Sequence, residues 1–522
     1  MTELVHDVLV IGSGIGGLTA AALCAADGLD TLVLEGHTRP GGCAGDFTRR
    51  GLLFPAGATV VMGFEEGGLH RWVYERLGLL IEARRLEQSM TVHLPDREVT
   101  ISTVPGHWEQ EQRRAFPELG RRGDRFWAHI RQLADTAHGL AAARPILPLT
   151  SLRELLGAVQ LARPGLVLAL PALWQTVADL MRAAGVANDP SLRSFVDNQL
   201  LISMQCSADE CVAMNGALAL DVYRRGTFHL PGGTATIARD LLTALTDRGG
   251  RCHYRAWVRS LERTGDTWAV ITADGDRHLA RSVIANLPPS SVIELLAPGT
   301  DASLSKASPR HRQPWGAVVL YAALDATDFP GVLPRYHQVV GEYGAPLEDG
   351  GSCFVSMFGP EQARFPNTVR LTVSTHTRVE PWWNLPDEAA YQAQKADIGE
   401  RLLAAVERIL PDVRRRITFS EVSSPRTFWR WIGRPEGRVG GVPQTPRTAN
   451  LLARTHRTSS PGLLLCGDSI FPGQGTIGVT LSGINAARDA SRYVRSRHRK
   501  SRRSPVGTFG RQAVSAASQK GG

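Results

Sequence analysis

The sequence Asp7-Val-Leu-Val-Ile-Gly12-Ser-Gly14-Ile-Gly-Gly17-Leu18 joins a short apolar run to a glycine-rich turn. Residues 8–11 predict a buried parallel strand, and residues 19–26 predict a helix of small side chains. In the spacing G-x-G-x-x-G, the first glycine permits a tight turn and the second lets the backbone approach a pyrophosphate. The third lets the helix pack on the strand. The segment therefore predicts an α/β fold with a Rossmann-like unit that binds a dinucleotide.

A second strand with an acidic residue at its end extends this unit. The run Thr31-Leu-Val-Leu34 precedes Glu35. A carboxylate about 20 residues beyond the glycines accepts hydrogen bonds from ribose hydroxyl groups. A negative charge there disfavours a 2′-phosphate, so we do not expect NADP at this site. These residues leave NAD and FAD open.

A second glycine-rich segment lies near the other end of the chain, with the sequence Leu463-Leu-Leu-Cys466-Gly467-Asp468-Ser-Ile-Phe471-Pro-Gly473-Gln-Gly475-Thr476. Residues 461–465 predict another buried strand, and residues 480–488 predict a helix with a face of small residues. The N-terminus of such a helix favours negative charge, including that of a reduced flavin ring. Two glycine-rich segments at opposite ends of one chain suggest a long cofactor that both ends hold.

Further motifs connect the chain with a known family. Arg39-Pro-Gly41-Gly42-Cys43 follows Glu35, Leu230-Pro-Gly232-Gly233 opens a predicted helix, and Gly467-Asp-Ser-Ile-Phe-Pro-Gly-Gln-Gly475 lies near the C-terminus. In these motifs the chain resembles the phytoene-desaturase-like flavoenzymes, which include carotenoid desaturases, carotenoid isomerases and retinol saturases. The C-terminal motif is most similar to that of carotenoid isomerases and the 3′,4′-desaturase group. The resemblance implies a glutathione-reductase-type FAD-binding domain and an inserted mixed α+β substrate domain.

The resemblance also implies which residues bind FAD. Arg39, Gly41 and Gly42 would lie along the pyrophosphate and flavin, the backbone of Val258 against the adenine, and Asp468 at the ribityl-pyrophosphate side. The full predicted cofactor-binding set is Gly12, Gly14, Gly16, Gly17, Glu35, Arg39, Gly41, Gly42, Val258, Gly467, Asp468, Gly473, Gly475, Thr476 and Ile477. The sequence contains no metal-ligand spacing and no acid–base constellation, so the catalytic residues stay unassigned.

The distribution of motifs predicts four parts of the chain: a discontinuous FAD-binding domain (1–104, 216–304 and 426–494), a helical, membrane-facing substrate insert (105–215), a substrate domain (305–425) and a basic, disordered tail (495–522). The tail holds eight basic residues and no acidic ones, so it accounts for most of the net charge of +9. It either touches anionic lipid or only aids solubility. No nucleic-acid-binding motif accompanies the charge, so we expect no nucleic-acid partner.

Cysteine usage and one apolar segment bear on location. Seven scattered cysteines without a C-x-x-C pair indicate reduced thiols, as in a cytoplasmic protein. The segment Pro164-Gly-Leu-Val-Leu-Ala-Leu-Pro-Ala-Leu-Trp174 is too short to span a bilayer. It either dips into one leaflet or packs as a core helix. Trp382, Trp383, Trp429 and Trp431 either line a substrate tunnel or pack in the core. We expect a cytoplasmic protein that associates peripherally with the membrane.

The resemblance implies an FAD-dependent carotenoid desaturase that introduces a 3,4- or 3′,4′-double bond and passes electrons to oxygen or a quinone. A carotenoid cis–trans isomerase and a phytoene desaturase remain alternatives. Rab-escort and GDP-dissociation-inhibitor proteins share the fold as lipid-binding chaperones. They would predict an eroded cofactor site, whereas every FAD segment here is intact. The oligomeric state stays open.

Overall fold

The computed structural model describes residues 4–144, 148, 169–305, 314–329, 335–359 and 367–503. The strands in these ranges are β1 (Val5–Ile11), β2 (Thr31–Leu34), β3 (Asp46–Arg49), β4 (Leu52–Pro55), β5 (Arg84–Leu86), β6 (Gln88–His93), β7 (Glu98–Ser102), β8 (Thr227–His229), β9 (Arg251–His253), β10 (Val258–Thr264), β11 (Thr267–Thr272), β12 (Arg277–Ala285), β13 (Trp315–Asp325), β14 (Tyr336–Val340), β15 (Ser352–Phe358), β16 (Thr368–Arg378), β17 (Ile417–Ser423) and β18 (Leu463–Leu465).

The α-helices are α1 (Ile15–Ala26), α2 (Leu69–Leu77), α3 (His107–Ala115), α4 (Gly120–Ala142), α5 (Val177–Ala184), α6 (Pro190–Met204), α7 (Ala213–Arg225), α8 (Ala235–Thr246), α9 (Pro289–Leu295), α10 (Ala302–Ser305), α11 (Glu380–Trp383), α12 (Glu388–Glu407), α13 (Val413–Arg416), α14 (Pro425–Ile432) and α15 (Gly475–Arg503). Short 3₁₀ helices lie at Gly42–Ala44, Pro117–Leu119, Leu170–Leu173, Pro435–Gly437 and Asn450–Leu452.

The first sheet has the strand order β10-β11-β12-β1-β2-β9, with β18 beside β12. Strand β1 is parallel to β12 and to β2, and β12 is parallel to β18. Ile11 therefore lies level with Leu34 and Ala285, and Ala285 with Leu465. The glycine-rich turns after β1 and β18 consequently meet at one edge of the sheet, where open α/β sheets bind their ligands.

Small residues let α1 and α15 pack closely against each other. All but the last residue of α1 are buried. A Cβ atom on Gly483 of α15 would lie 2.3 Å from the carbonyl oxygen of Gly16. The two glycine-rich segments, far apart in sequence, thus form one tightly packed unit, and the predicted α/β architecture is confirmed.

The second sheet has the order β17-β13-β16-β15-β14-β6-β7. Its pairs are antiparallel except β14 with β6. Side chains of α12 pack on one face, and residues of β6, β14 and β15 share another core with α3–α7. Every residue of β14 and β15 is buried because both faces of the sheet are covered.

Two predicted boundaries need correction. Residues 88–102 were assigned to the FAD-binding domain, but they form β6 and β7 of the second sheet because β6 pairs with β14. The tail was predicted to be disordered from residue 495, but α15 continues to Arg503. In this extension Arg497 pairs with Asp266 at 2.7 Å and His498 lies 3.2 Å from Asp7. Residues 504–522 lie outside the described residues.

The described part of the helical insert forms α3 to α6 and the start of α7. Of the predicted membrane-dipping segment, residues 164–168 lie outside the described residues. Residues 169–174 contain a 3₁₀ turn, and Leu170 and Trp174 are 47% and 57% exposed. In the described ranges we find no helix with the length and apolarity needed to cross a membrane.

Candidate active site

The turn after β1 is built so that only glycine fits at several positions. Gly12 has a φ of +91°. A Cβ atom at Gly14 would lie 2.6 Å from Asn286 Nδ2, and one at Gly17 would lie 2.2 Å from the Gly12 carbonyl oxygen. The glycines keep this turn tight and free of side chains, and Gly12, Gly14 and Gly16 line the cavity, which suits the approach of a pyrophosphate. A Cβ atom at Gly16 would lie 3.0 Å from the carbonyl oxygen of Val479 in α15.

The carboxylate of Glu35 is fixed against this turn. One of its oxygens accepts hydrogen bonds from the backbone N–H and the hydroxyl of Ser13, at 2.7 and 2.6 Å. The other accepts the backbone N–H of His37 at 2.8 Å. These bonds fix the orientation of the carboxylate at the end of β2, and Glu35 lines the adjoining cavity. The position matches the one predicted for a ribose-binding acid.

The loop after β2 brings Arg39, Gly41 and Gly42 to the same place. Gly41 has a φ of +112°, and its backbone N–H donates to the carbonyl oxygen of Ser13 at 2.8 Å. The guanidinium group of Arg39 donates to Asp46 and to the Thr48 hydroxyl, each at 3.0 Å. Arg39 thus lines the cavity while its charge is paired with Asp46 of β3.

The C-terminal segment completes the wall opposite. Gly467, Gly473 and Gly475 have φ values of +116°, +120° and +79°. Helix α15 begins at Gly475, so Thr476 and Ile477 lie in its first turn and line the cavity. The unpaired N–H groups of that turn favour negative charge in the cavity.

A largely buried ion pair forms part of this wall. The Arg434 guanidinium donates from Nη1 to Asp468 Oδ2 at 2.8 Å and from Nη2 to Oδ1 at 3.1 Å. Although burial works to raise the pKa of Asp468, the adjacent guanidinium holds it below its usual range. Burial is also the main cause that raises the pKa of the Cys43 thiol, which lies near both groups. Asp468 is therefore an ionised acceptor with a fixed orientation.

One cavity of about 2130 Å³ connects these elements. It is lined by thirteen of the fifteen predicted cofactor residues. Gly17 and Gly473 are not among its lining residues, since they pack behind it on Gly12 and on Gln444. Val258, at the start of β10, lines the cavity next to Trp257, whose ring fits between Gly36 and Gly433.

The cavity extends beyond the glycine-rich turns. Its volume is more than twice the upper end of the usual range for small-ligand pockets, roughly 300–1,000 Å³. The extension is lined by apolar side chains from the helical insert, its flanking loops and the second sheet, including Met62, Leu173, Met204, Met214, Leu218 and Phe354. The cavity therefore has room for a dinucleotide and, beside it, a long apolar molecule.

The four tryptophans of the sequence prediction have different environments. Trp382 is fully buried and packs in the core of the second sheet. Trp383 and Trp429 contact each other edge to face on the surface, with 5.3 Å between their ring centroids. Only Trp431 of the four lines the cavity. The tunnel interpretation therefore fails for Trp382, Trp383 and Trp429.

Sequence reasoning missed several residues of the site. Asn286, the residue after β12, contacts Gly12 and Gly14, and its place directly after the short apolar run 283–285 is the signal in the sequence. Arg434 was also missed, because nothing in its local sequence indicates its pairing with Asp468. No local pattern points to Gln205 or His376, which line the cavity from α6 and β16.

The fold and this cavity define an FAD-dependent oxidoreductase. The sequence profile of the family described as flavin containing amine oxidoreductase matches residues 15–491. The chain belongs to that family, and its cofactor is FAD. The glycine turns, Glu35 and the start of α15 fit such a cofactor, because they leave backbone amides and one oriented carboxylate facing the cavity.

Relatives and solved structures agree with this assignment. The chain is 29% identical over 533 residues to the chloroplastic prolycopene isomerase of Arabidopsis thaliana, covering 97% of this chain and 86% of that protein. It is 24% identical to the human all-trans-retinol 13,14-reductase, and the alignment covers 89% of this chain and 82% of that protein. Cyclohexylamine oxidase from Brevibacterium oxydans has a similar fold, with a TM-score of 0.59 and 14% identity. The superposition covers 95% of this chain and 100% of the oxidase. The predicted relationship to the carotenoid desaturase and isomerase family is confirmed.

Proposed function

We propose that this enzyme desaturates a carotenoid by introducing a 3,4- or 3′,4′-double bond. The main supporting observation is the cavity, in which a dinucleotide cradle opens directly into a long apolar arm. Relatives named for action on prolycopene and on all-trans-retinol support a polyene substrate, since both compounds have conjugated hydrocarbon chains.

The cofactor residues act by binding and orientation. We propose that Glu35 binds the adenosine ribose, the turn after β1 the pyrophosphate, and Asp468 the ribityl side, with Val258 at the adenine. Bound FAD supplies the chemistry by accepting the hydride that the substrate loses together with a proton. The apolar walls of the arm orient the chain and keep water from the reacting carbons.

No cavity residue is assigned as the base that takes the proton. His376 lines the cavity, but burial lowers its pKa to about 4 and its Nε2 faces the amide nitrogen of Gln205. The imidazole is therefore a neutral hydrogen-bond acceptor that is already engaged. A proton that leaves an allylic cation does not require a side-chain base. In this proposal the protein contributes by holding the polyene in a fixed orientation beside the cofactor.

A carotenoid cis–trans isomerase is the second candidate. It is favoured by the likeness to prolycopene isomerase over 97% of this chain. An isomerase and a desaturase would use the same FAD cradle, and they differ in whether hydrogen leaves the substrate.

We also propose peripheral membrane association, with oxygen or a quinone as electron acceptor. Leu170 is exposed on the surface and also lines the cavity, and Trp174 beside it is more exposed still. Such a turn would give a bilayer-dissolved polyene a route into the arm. Replacement of Leu170 and Trp174 by serine should reduce co-flotation with vesicles. The double variant of Trp383 and Trp429, also exposed tryptophans, is the matched control.

The test of function is expression in a host that makes lycopene and its hydroxylated derivatives, followed by chromatography with mass detection. A product two hydrogens lighter, with a red-shifted spectrum, supports desaturation. A product of equal mass with changed retention supports the isomerase. A Gly17→Val variant is the matched control without the cofactor cradle.

A further inference from the structure

Two exposed aromatic side chains border the end of the cavity that we propose for adenosine. Trp257 and Trp431 are 44% and 47% exposed, and both also line the cavity. Trp257 directly precedes Val258. The ring of Trp431 lies edge to face with that of His37, two residues after Glu35, with 6.2 Å between the ring centroids. Side chains that face both the cavity and solvent stand at a mouth, so the two tryptophans mark a mouth beside the adenosine residues.

The indole ring of Trp257 lies between two glycines from different parts of the fold. A Cβ atom at Gly36 would lie 2.6 Å from Cδ2 and Cε2 of the ring, and one at Gly433 would lie 2.7 Å from Cζ3 and Cη2. Gly36 follows β2 of the first sheet. Gly433 ends α14, whose Phe428 packs with residues of the second sheet. The ring therefore bridges the FAD-binding sheet and the second-sheet side, and only glycine admits it at either contact.

The backbone at Trp257 is fixed, whereas its ring is held by packing alone. The backbone N–H of Ala256 donates to the carbonyl oxygen of Glu35 at 2.8 Å, and that of Ala273 donates to the carbonyl oxygen of Trp257 at 2.6 Å. Within the described ranges we find no hydrogen bond to the Trp257 indole N–H. The indole of Trp383, in contrast, donates to a backbone carbonyl oxygen at 3.0 Å. The Trp257 ring can thus leave the glycines without breaking a hydrogen bond.

The end of α14 and the loop after it cross the cavity beside this ring. Residues 431–434, which we call the strap, all line the cavity. At one end of the strap Trp431 contacts His37, and at the other Arg434 binds Asp468 through two hydrogen bonds. The strap therefore reaches from the proposed adenosine side to the proposed ribityl side. Its Arg434 end is largely buried and its Trp257 end is exposed, so opening begins at Trp257.

We propose that Trp257 is a gate for the cofactor, and that FAD passes this mouth only when the indole ring leaves Gly36 and Gly433. The inference concerns cofactor exchange and not the reaction, and it rests on the proposed placement of adenosine beside Glu35 and Val258. A gate raises the barrier to entry and to exit, so its removal speeds FAD binding and release and changes affinity little. Loss of a residue that only contacts bound adenosine speeds release alone.

The test dilutes purified holoenzyme and follows flavin fluorescence as FAD leaves the protein. The rate and the end point of the rise together give the dissociation rate constant and Kd, and their quotient gives the association rate constant. We expect Trp257→Ala to raise the dissociation rate constant at least about tenfold while Kd changes less than about threefold. An unchanged dissociation rate constant, or a Kd weakened by the same factor, would overturn the proposal.

Gly36→Ala displaces the ring without removing it. The backbone of Gly36 is outside the left-handed region, and the added methyl group would lie 2.6 Å from the indole ring. Both rate constants should therefore rise, as in Trp257→Ala. The double variant has no ring to displace, so its rate constants should stay within about twofold of those of Trp257→Ala. Effects of the two changes that multiply would contradict the proposal. Either single variant carries the test if the other does not fold.

Two further variants are the references. Trp429 is 50% exposed on the same helix and is not among the cavity-lining residues, so Trp429→Ala should leave both rate constants unchanged. Equal acceleration in this variant would assign the effect to α14 in general and overturn the gate. Glu35→Gln should raise the dissociation rate constant and Kd by the same factor, as a contact does. Unchanged FAD binding in Glu35→Gln would remove the adenosine placement, while the Trp257→Ala rate constants decide the gate separately.

Discussion

Arg434 binds both carboxylate oxygens of Asp468, although the two residues belong to different loops that meet at the wall of the cofactor cavity. Their side chains are only 14% and 17% exposed. A planar guanidinium matches a carboxylate in this two-point geometry, which a lysine cannot reproduce. The pair fixes Asp468 before any ligand binds, so its orientation is preorganised.

Arg434→Met should therefore leave a buried carboxylate without its counter-ion. We expect a loss of about 3 kcal/mol in the free energy of unfolding, together with weaker FAD binding. Urea denaturation and a flavin fluorescence titration measure the two effects. Arg434→Lys should recover only part of the lost stability and FAD affinity. Full recovery by lysine would show that the positive charge, and not the two-point geometry of the guanidinium, supports Asp468.

Replacement of Glu35 by Gln should weaken FAD binding about tenfold to a hundredfold. The amide would turn an NH₂ group towards Ser13 or the ribose, where the carboxylate accepts charge-assisted bonds. The check is the FAD dissociation constant. Glu262→Gln, at an exposed position on β10, is the control. Unchanged FAD affinity in Glu35→Gln would remove the ribose assignment.

Two glycine substitutions should have opposite effects. Gly17→Ala places a methyl group 2.2 Å from the Gly12 carbonyl oxygen and should yield protein with little bound FAD. Gly139→Ala, in α4, has open space around the new Cβ and should raise stability by up to about 1 kcal/mol. Flavin content and thermal unfolding report both results. Normal flavin content in Gly17→Ala would contradict the close packing of the turn.

His70 makes stability depend on pH. Burial lowers its pKa to about 4, from 6.5 in an unperturbed histidine. As pH falls from 6.5 to about 4, only the unfolded chain gains this proton, so the folded state loses stability, by about 2 kcal/mol at pH 5. His70→Phe, which can stack on Phe64 as the imidazole does, should show a smaller loss between pH 7.5 and pH 5. If the wild-type protein and His70→Phe lose the same stability between pH 7.5 and pH 5, a group other than His70 causes the acid sensitivity.

Local patterns predicted the elements around the cofactor well. The second strand runs from Thr31 to Leu34, as the sequence indicates. Helix α1 begins at Ile15, before the predicted residue 19, because the glycines of the motif already belong to its first turn. Arg255, with a φ of +59°, separates β9 from β10, and the local sequence does not indicate this break.

Contacts between distant residues were beyond sequence reasoning. The pairing of β6 with β14 joins residues about 240 positions apart, and no local pattern specifies it. Arg434 with Asp468 and Gln205 with His376 are likewise tertiary pairs. Their geometry depends on how the two sheets are joined, which periodicity and motif spacing do not encode.

We propose that hydrogen leaves a polyene for the flavin. The most direct measurement mixes purified, oxidised enzyme with a carotenoid in the absence of oxygen and quinone, and follows the visible flavin band together with the mass of the carotenoid. We expect the flavin band to bleach in proportion to the amount of a product two hydrogens lighter. A changed cis–trans pattern at equal mass, with no bleaching, would contradict it.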